Sequence, residues 1–338
     1  MPYQADRELA DFVQSLPKTE THLHMEGACP IELLREADPV KFRDPPAMWR
    51  DDFRYESFDQ FMELYAEYCG AVFYSAEQYG RAAEIVLGNC FQQNVRYVET
   101  SFHSGAVESG RDSGSDVVRA IKEAAPYGLE VRVFMGMSHD ACATKEGQAV
   151  INDCHKWPGL DGIDLHGPEY LPVEDWTTEV WERARQAGKF TKAHAGEFMG
   201  AAFVEMILNE LKVTRIEHGV RSIEDPVLVE RLVTEGIVLD VCPISNVKLA
   251  VKGIPSMPAH PIRRLFDAGV KLTINSDDPF MFGNTLSEEY YALYQDLEFS
   301  RAELGKIARH GFEIALWEGE GKDRYLDELD AIIANQSR

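Results

Sequence analysis

Two histidines stand two residues apart in Thr21-His22-Leu23-His24. On an extended strand such side chains share a face, so both rings can reach one metal ion. Alone, the pair also reads as a strand end that holds no metal. Three other segments bear on the choice. His194-Ala195-Gly196-Glu197, Glu217-His218-Gly219 and Ser276-Asp277-Asp278 each close a short apolar run, which puts His or carboxylate at four strand ends. His194 and Asp277 then join His22 and His24 as a ligand set. Imidazole with carboxylate favours zinc, and iron, cobalt or manganese accept the same ligands.

Glu197 follows His194 by three residues, beside the metal position but not necessarily on it. In a dry pocket a carboxyl keeps its proton and can act as a general acid; otherwise Glu197 is a surface-loop glutamate. A neutral His218 can orient water or take its proton, and the competing reading is a core histidine. Asp277 and Asp278 are adjacent carboxylates, hard to keep ionised together without a cation; the alternative is a helix cap before Pro279. His103, His139 and His166 lie near strand ends and could line the same mouth, whereas His155, His260 and His310 read as structural. Asn246 reads as a loop cap. Phe53, Tyr55, Phe58, Phe61 and Tyr65 read as core more than as a binding platform.

The elements that must position these residues alternate along the chain. Strands are predicted at Glu20–His24, Arg96–Phe102, Glu130–Gly136, Gly162–Leu165, Phe190–His194, Arg215–His218, Ile237–Cys242 and Lys271–Asn275. Helical periodicity follows near 75–93, 115–125, 144–154, 176–187, 200–210, 224–235 and 260–269. Strand then helix, repeated, means parallel pairing with crossover helices. Eight such units predict an α/β (β/α)₈ TIM barrel with functional groups at the C-terminal strand ends. An open doubly wound sheet would want GxGxxG after the first strand, and none is present. Residues 28–94 read as a helical insertion after strand one, part of a lid, and the tail after 286 as C-terminal helices. One domain, 1–338, fits better than two.

Composition sets the outer bounds. Of 338 residues, 45% are hydrophobic and 27% charged, which excludes a disordered chain. A net charge of −23 argues against nucleic acid and anionic membranes as partners. No apolar run reaches the ~18 residues of a membrane span. The six cysteines show no CxxC spacing and read as reduced thiols of a cytoplasmic protein. Oligomeric state is left open.

Taken in order, Thr21–Ala28 (THLHMEGA), Gly162-Ile163-Asp164-Leu165, His194–Glu197 (HAGE), Arg215–Gly219 (RIEHG), Cys242–Asn246 (CPISN) and Ser276–Pro279 (SDDP) resemble the adenosine deaminase family of amidohydrolases. The resemblance implies a barrel with one zinc per chain, held by His22, His24, His194 and Asp277. It implies that Glu197 protonates purine N1, His218 positions the attacking water and handles its proton, Asp278 contacts the water or N7, and the Gly167 backbone meets N3. The implied activity is hydrolytic deamination of a 6-aminopurine, adenosine or adenine, to the 6-oxopurine and ammonia. That is an aminohydrolase of purine metabolism, with a small-molecule substrate.

The chain departs from the family pattern in two places. Adenosine deaminases show Asp in HxHxDG, where it meets the ribose; here Glu26 reaches about one methylene further, into space a ribose would need. His166-Gly167-Pro168-Glu169 also differs from the usual acidic stretch. The cytidine-deaminase pattern, HxE with PCxxC, is absent. Gly162–Leu165 contains no Lys to bridge a second metal. The alternatives are an amidohydrolase cutting another C–N, ester or lactone bond, a deaminase of modified adenosines or pterins, and a catalytically silent metal-binding scaffold.

Overall fold

The computed structural model describes residues 3–108 and 110–336. Eight strands run in chain order: β1 Lys18–His24, β2 Val95–His103, β3 Glu130–Ser138, β4 Gly162–His166, β5 Phe190–Ala195, β6 Arg215–His218, β7 Val238–Val241 and β8 Lys271–Ile274. Each pairs in parallel with the next. The seam between β8 and β1 carries a single bridge, Leu23 opposite Asp277. There the His24 N–H donates to Asp277 O at 3.1 Å, and the Asp277 N–H to His22 O at 3.2 Å. The predicted (β/α)₈ barrel is therefore present, and it closes at a proposed ligand.

The strands match the sequence expectation to within two residues at every end, and Arg215–His218 matches at both. Crossover helices at Ala76–Gln92, Gly114–Glu123, Lys145–Asp153, Asp175–Gln186, Ala201–Leu211, Pro226–Glu235 and Ile262–Asp267 fall where periodicity placed them. Their starts follow the sequence: Ser113 and Asp116 form a capping box, and Asp225 precedes Pro226 at the first helical position. The insertion is shorter than expected. Ala76–Gln92 is the ordinary crossover from β1 to β2, since its apolar face Ala82, Ala83, Val86, Leu87 is buried in the core. The lid is carried by the preceding helix Phe58–Cys69, capped by Ser57. Helices Leu286–Asp296, Arg301–Ile314 and Glu320–Gln336 form the tail.

The outer wall of the barrel is apolar: Val98, Phe102, Ile163, Leu165, Ile216, Leu239 and Leu272 are buried, each worth about 1.5–3 kcal/mol. The interior below the mouth is charged. Lys192 Nζ lies 2.7 Å from Glu217 Oε1, and Arg215 pairs with Glu99 at 2.8 Å and with Asp240 at 2.6 Å. Thr21 and Thr273 hydroxyls donate to Asp240. Removing one member would strand a buried charge at a cost of about 3–5 kcal/mol. A bulge lets β1 serve both layers. Glu20 to Leu23 runs opposite Val98 to Thr100, one residue longer than its partner. Thr21 can then join the interior network while His22 and His24 reach the mouth.

Candidate active site at the C-terminal mouth of the barrel

Four ligand atoms converge from β1, β5 and the turn after β8. His22 Nε2 and His24 Nε2 are 3.3 Å apart, as are His24 Nε2 and His194 Nε2. Asp277 Oδ1 is 3.4 Å from both His22 Nε2 and His24 Nε2. All four residues are buried. The Nδ1 atoms face acceptors. His22 Nδ1 is 3.2 Å from Asp240 O, His194 Nδ1 is 3.1 Å from Leu165 O and 2.9 Å from Glu217 Oε2, and His24 Nδ1 is 2.7 Å from Ser101 Oγ. With the protons on the Nδ1 atoms, the Nε2 lone pairs point at one another, a repulsion that a shared cation would relieve. Neighbouring atoms 3.3–3.4 Å apart are close enough for one ion at about 2.0–2.2 Å to contact them together. The residues present therefore fit a divalent metal.

Neighbours hold this array. Ser245 Oγ donates to Asp277 Oδ2 at 2.6 Å, leaving Oδ1 for an ion. Asp277 and His218 both adopt left-handed backbone, each with φ of 65°, a strained state for non-glycine residues that persists where surroundings over-determine it. Burial raises the proton affinity of the Asp277 carboxylate, but the imidazoles of His22, His218 and His24 outweigh it and hold the group well below the usual range.

Glu197 and His218 stand next to the array. His218 Nε2 lies 3.6 Å from Glu197 Oε1 and 3.9 Å from Asp277 Oδ2. Asn246 is not the loop cap the sequence proposed. Its Nδ2 lies 3.3 Å from Glu197 Oε1 and 3.2 Å from His218 Nδ1, while its Oδ1 meets His260 Nε2 at 3.1 Å. Burial, then the carboxylates of Asp277 and Glu169, push the Glu197 carboxyl well above its ordinary pKa. Burial and then the His22 imidazole push His218 well below its own. The two shifts favour the protonated carboxyl and the neutral imidazole.

Asp278 offers no side-chain cap to the short helix Pro279–Phe282, and its Oδ1 is buried without a partner. Gly27 makes room for it: a Cβ at that position would stand 1.6 Å from Asp278 Oδ1. Gly167 lines the cavity with a φ of 88°. Glu26 is buried behind the lining. Its Oε1 accepts from the Tyr79 hydroxyl, and from the His103 N–H at 2.8 Å.

The cavity measures about 660 Å³, part of it open to solvent. The proposed ligands His24, His194 and Asp277 with Glu197, His218 and Asp278 form its floor, and His103, Ser138, His166, Gly167 and Pro168 one wall. Phe58, Phe61, Met62 and Tyr65 of the lid helix cover it. Part of the aromatic cluster read as core is thus a lining surface, because one face of that helix turns toward the mouth. Phe53 and Tyr55 pack behind it.

Several supporting residues gave no signal in the sequence. Both carboxylate oxygens of Glu169 receive backbone N–H groups of the loop bearing the acid: Glu197 at 3.0 Å, Phe198 at 3.0 Å and Met199 at 2.5 Å. Arg221 donates to Phe198 O on the same loop. Ser101, Ser245, Asp164 and Glu217 act on ligand side chains. Only pairing across strands reveals them. Glu217 stood in the Glu217-His218-Gly219 segment, but the sequence assigned it no role.

A parallel barrel with a cluster that could hold a metal ion and a carboxyl–imidazole pair at its C-terminal mouth is the arrangement expected of a metal-dependent hydrolase. Comparison with known proteins narrows the class. The family described as adenosine deaminase matches residues 17–332. An adenine deaminase of Hahella chejuensis is 33% identical over 97% of this chain and 100% of that protein. The crystal structure of an adenine deaminase from Arthrobacter aurescens superposes with a TM-score of 0.81 at 25% identity, over 95% of this chain and 100% of that one. A zinc-bound amidohydrolase from Burkholderia ambifaria shares the fold with a TM-score of 0.82 at 23% identity, over 99% and 96%. The chain belongs to the adenosine deaminase family and is a hydrolase acting on C–N bonds of aminopurines. Among the described residues no helix is long and apolar enough to cross a membrane.

Proposed function

We propose that this chain deaminates free adenine to the 6-oxopurine with release of ammonia, using one zinc ion on His22, His24, His194 and Asp277. The observation that carries the reading is the convergence of a buried carboxyl, Glu197, and a neutral imidazole, His218, on the rim of the ligand array. A divalent ion there supplies Lewis-acid activation of the attacking water. His218 takes a proton from that water as its oxygen bonds to C6. Glu197 donates its proton to N1, so the ring accepts the electron pair. The C6–N bond then breaks as His218 passes its proton to the amine, ammonia leaves, and the hydrogen remaining on the C6 oxygen restores the Glu197 carboxyl as the 6-oxo group forms. Asp278 faces N7 or the water, and the Gly167 backbone faces N3.

Among aminopurines, a neutral base is favoured over a nucleotide because no residue lining the cavity is Lys or Arg and the chain carries a net charge of −23. Phosphate recognition relies on cationic or helix-terminal donors. The relatives named adenine deaminase support the same choice. Six unpaired thiols support a reducing, cytoplasmic setting.

Ammonia release across adenine, adenosine, adenosine monophosphate, guanine and a pterin, with metal content measured in parallel, tests the proposal. Adenine is expected to be turned over fastest. Turnover of none of the five by zinc-loaded protein overturns the reading.

A further inference from the structure

One wall of the cavity carries polar groups that neither the ligand array nor the acid–base pair uses. His103, ending β2, and His166, ending β4, lie face to face with ring centroids 5.1 Å apart and planes 22° from parallel. Both line the cavity. His166 Nε2 is buried and has no hydrogen-bond partner, a rare condition for a buried ring nitrogen. The backbone is shaped to admit this ring. A Cβ on Gly136 of β3 would stand 2.6 Å from His166 Cε1, so a side chain there would displace the imidazole. His103 is anchored from two sides. Its Nδ1 accepts from the Gly105 N–H at 3.0 Å, and its own N–H donates to Glu26 at 2.8 Å.

Strand order gives these rings a place against the substrate, given the function proposed above. Around the mouth the lining runs from Asp278 after β8 through His218 on β6 and Glu197 after β5 to His166 on β4 and His103 on β2. A purine with C6 at the ligand array and N1 at Glu197 must lay C2, N3, C4 and N9 along the β4-to-β2 arc. We propose that His166, with His103 stacked on it, determines specificity: its Nε2 accepts the N9–H of the free base, and the two rings fill the room that a sugar on N9 would need. A nucleoside has no hydrogen on N9 and leaves that nitrogen unpaired, the kind of loss by which hydrogen-bonding sites reject analogues. Glu26 then acts on the substrate as a positioning residue, through the backbone of His103.

The test is steady-state deamination of adenine and of adenosine by the unsubstituted zinc-loaded chain and by His166→Ala, His166→Asn and His103→Ala. Metal content and melting temperature are measured for each. His166→Ala is expected to raise KM for adenine about tenfold, the loss of one hydrogen bond. It is also expected to move the adenine-to-adenosine ratio of kcat/KM at least tenfold toward adenosine, with metal content unchanged. His166→Asn, which keeps a polar contact, restores part of the adenine KM. His103→Ala shifts the ratio in the same direction by less. An unchanged ratio in both alanine variants overturns the specificity role. An unsubstituted chain that releases ammonia from no aminopurine overturns the functional reading instead. Should the variants fail to fold, calorimetry on the unsubstituted protein decides. Hypoxanthine binding at least tenfold tighter than inosine supports the role, and equal affinity overturns it.

Discussion

Around the β8–β1 seam and on β5 and β6, most functional side chains are pinned by neighbours. Asp277 has Ser245, His24 has Ser101, His194 has Leu165 and Glu217, and Glu197 has Asn246 beside it and Glu169 beneath its loop. Across the mouth, on β2 to β4 and the lid helix, contacts are mostly ring against ring. Phe58 meets Phe198 at 5.0 Å, Phe61 stacks on Phe282 at 5.6 Å, and His166 Nε2 goes unpaired. Moving protons and holding a cation demand positions good to a fraction of an ångström. Recognising a flat ring demands shape and one or two polar contacts, so that half is the freer to vary between relatives.

Substitutions that break the pinned half have the largest expected effects. Asp277→Ala or His22→Ala removes a ligand and strands the remaining lone pairs. Metal content by elemental analysis is expected to fall well below one per chain, and ammonia release to fall below detection. Glu197→Gln keeps the shape and loses the proton. The expected outcome is retained zinc with kcat lower by about 10²–10⁴-fold, read from initial rates. Glu169→Gln replaces one N–H acceptor by a donor and frees the loop that carries the acid. Hydrogen bonds to a charged group contribute about 1.5–3 kcal/mol each, so kcat is expected to drop about 10–100-fold while KM and zinc content hold. Ser245→Ala loosens Asp277 without removing it. A chelator competition should show metal affinity down about 10–100-fold. In the loosely held half, Phe58→Ala removes the ring contact of the lid with Phe198, worth about 0.5–1.5 kcal/mol. KM for adenine is expected to rise about tenfold or less, with kcat preserved. A KM effect from Glu169→Gln larger than its kcat effect would erase the distinction between the halves.

The strands were legible because a parallel barrel buries both faces of each, and short apolar runs between amphipathic helices say so directly. The residues proposed as ligands were legible because strand ends in a barrel point to one rim, which turns four distant motifs into neighbours. The split of the β1–β2 connection was harder to read. Phe58–Cys69 and Ala76–Gln92 both show helical patterning, and nothing local tells a lid from a crossover. The charged barrel interior was also missed, since Glu99, Lys192 and Arg215 read as interruptions until their pairing across strands cancels their charges.

The amino-acid order alone determined the architecture and nominated the residues proposed as metal ligands and as the acid–base pair, because periodicity and residue chemistry are local properties. Only the tertiary structure decided which side chains hold those groups still, where Glu26 and Asn246 point, and that His166 keeps a ring nitrogen free in the cavity wall. Those outcomes depend on which strands become neighbours and how closely they approach. A carboxylate or a histidine in the sequence carries no mark of what will lie three ångströms away.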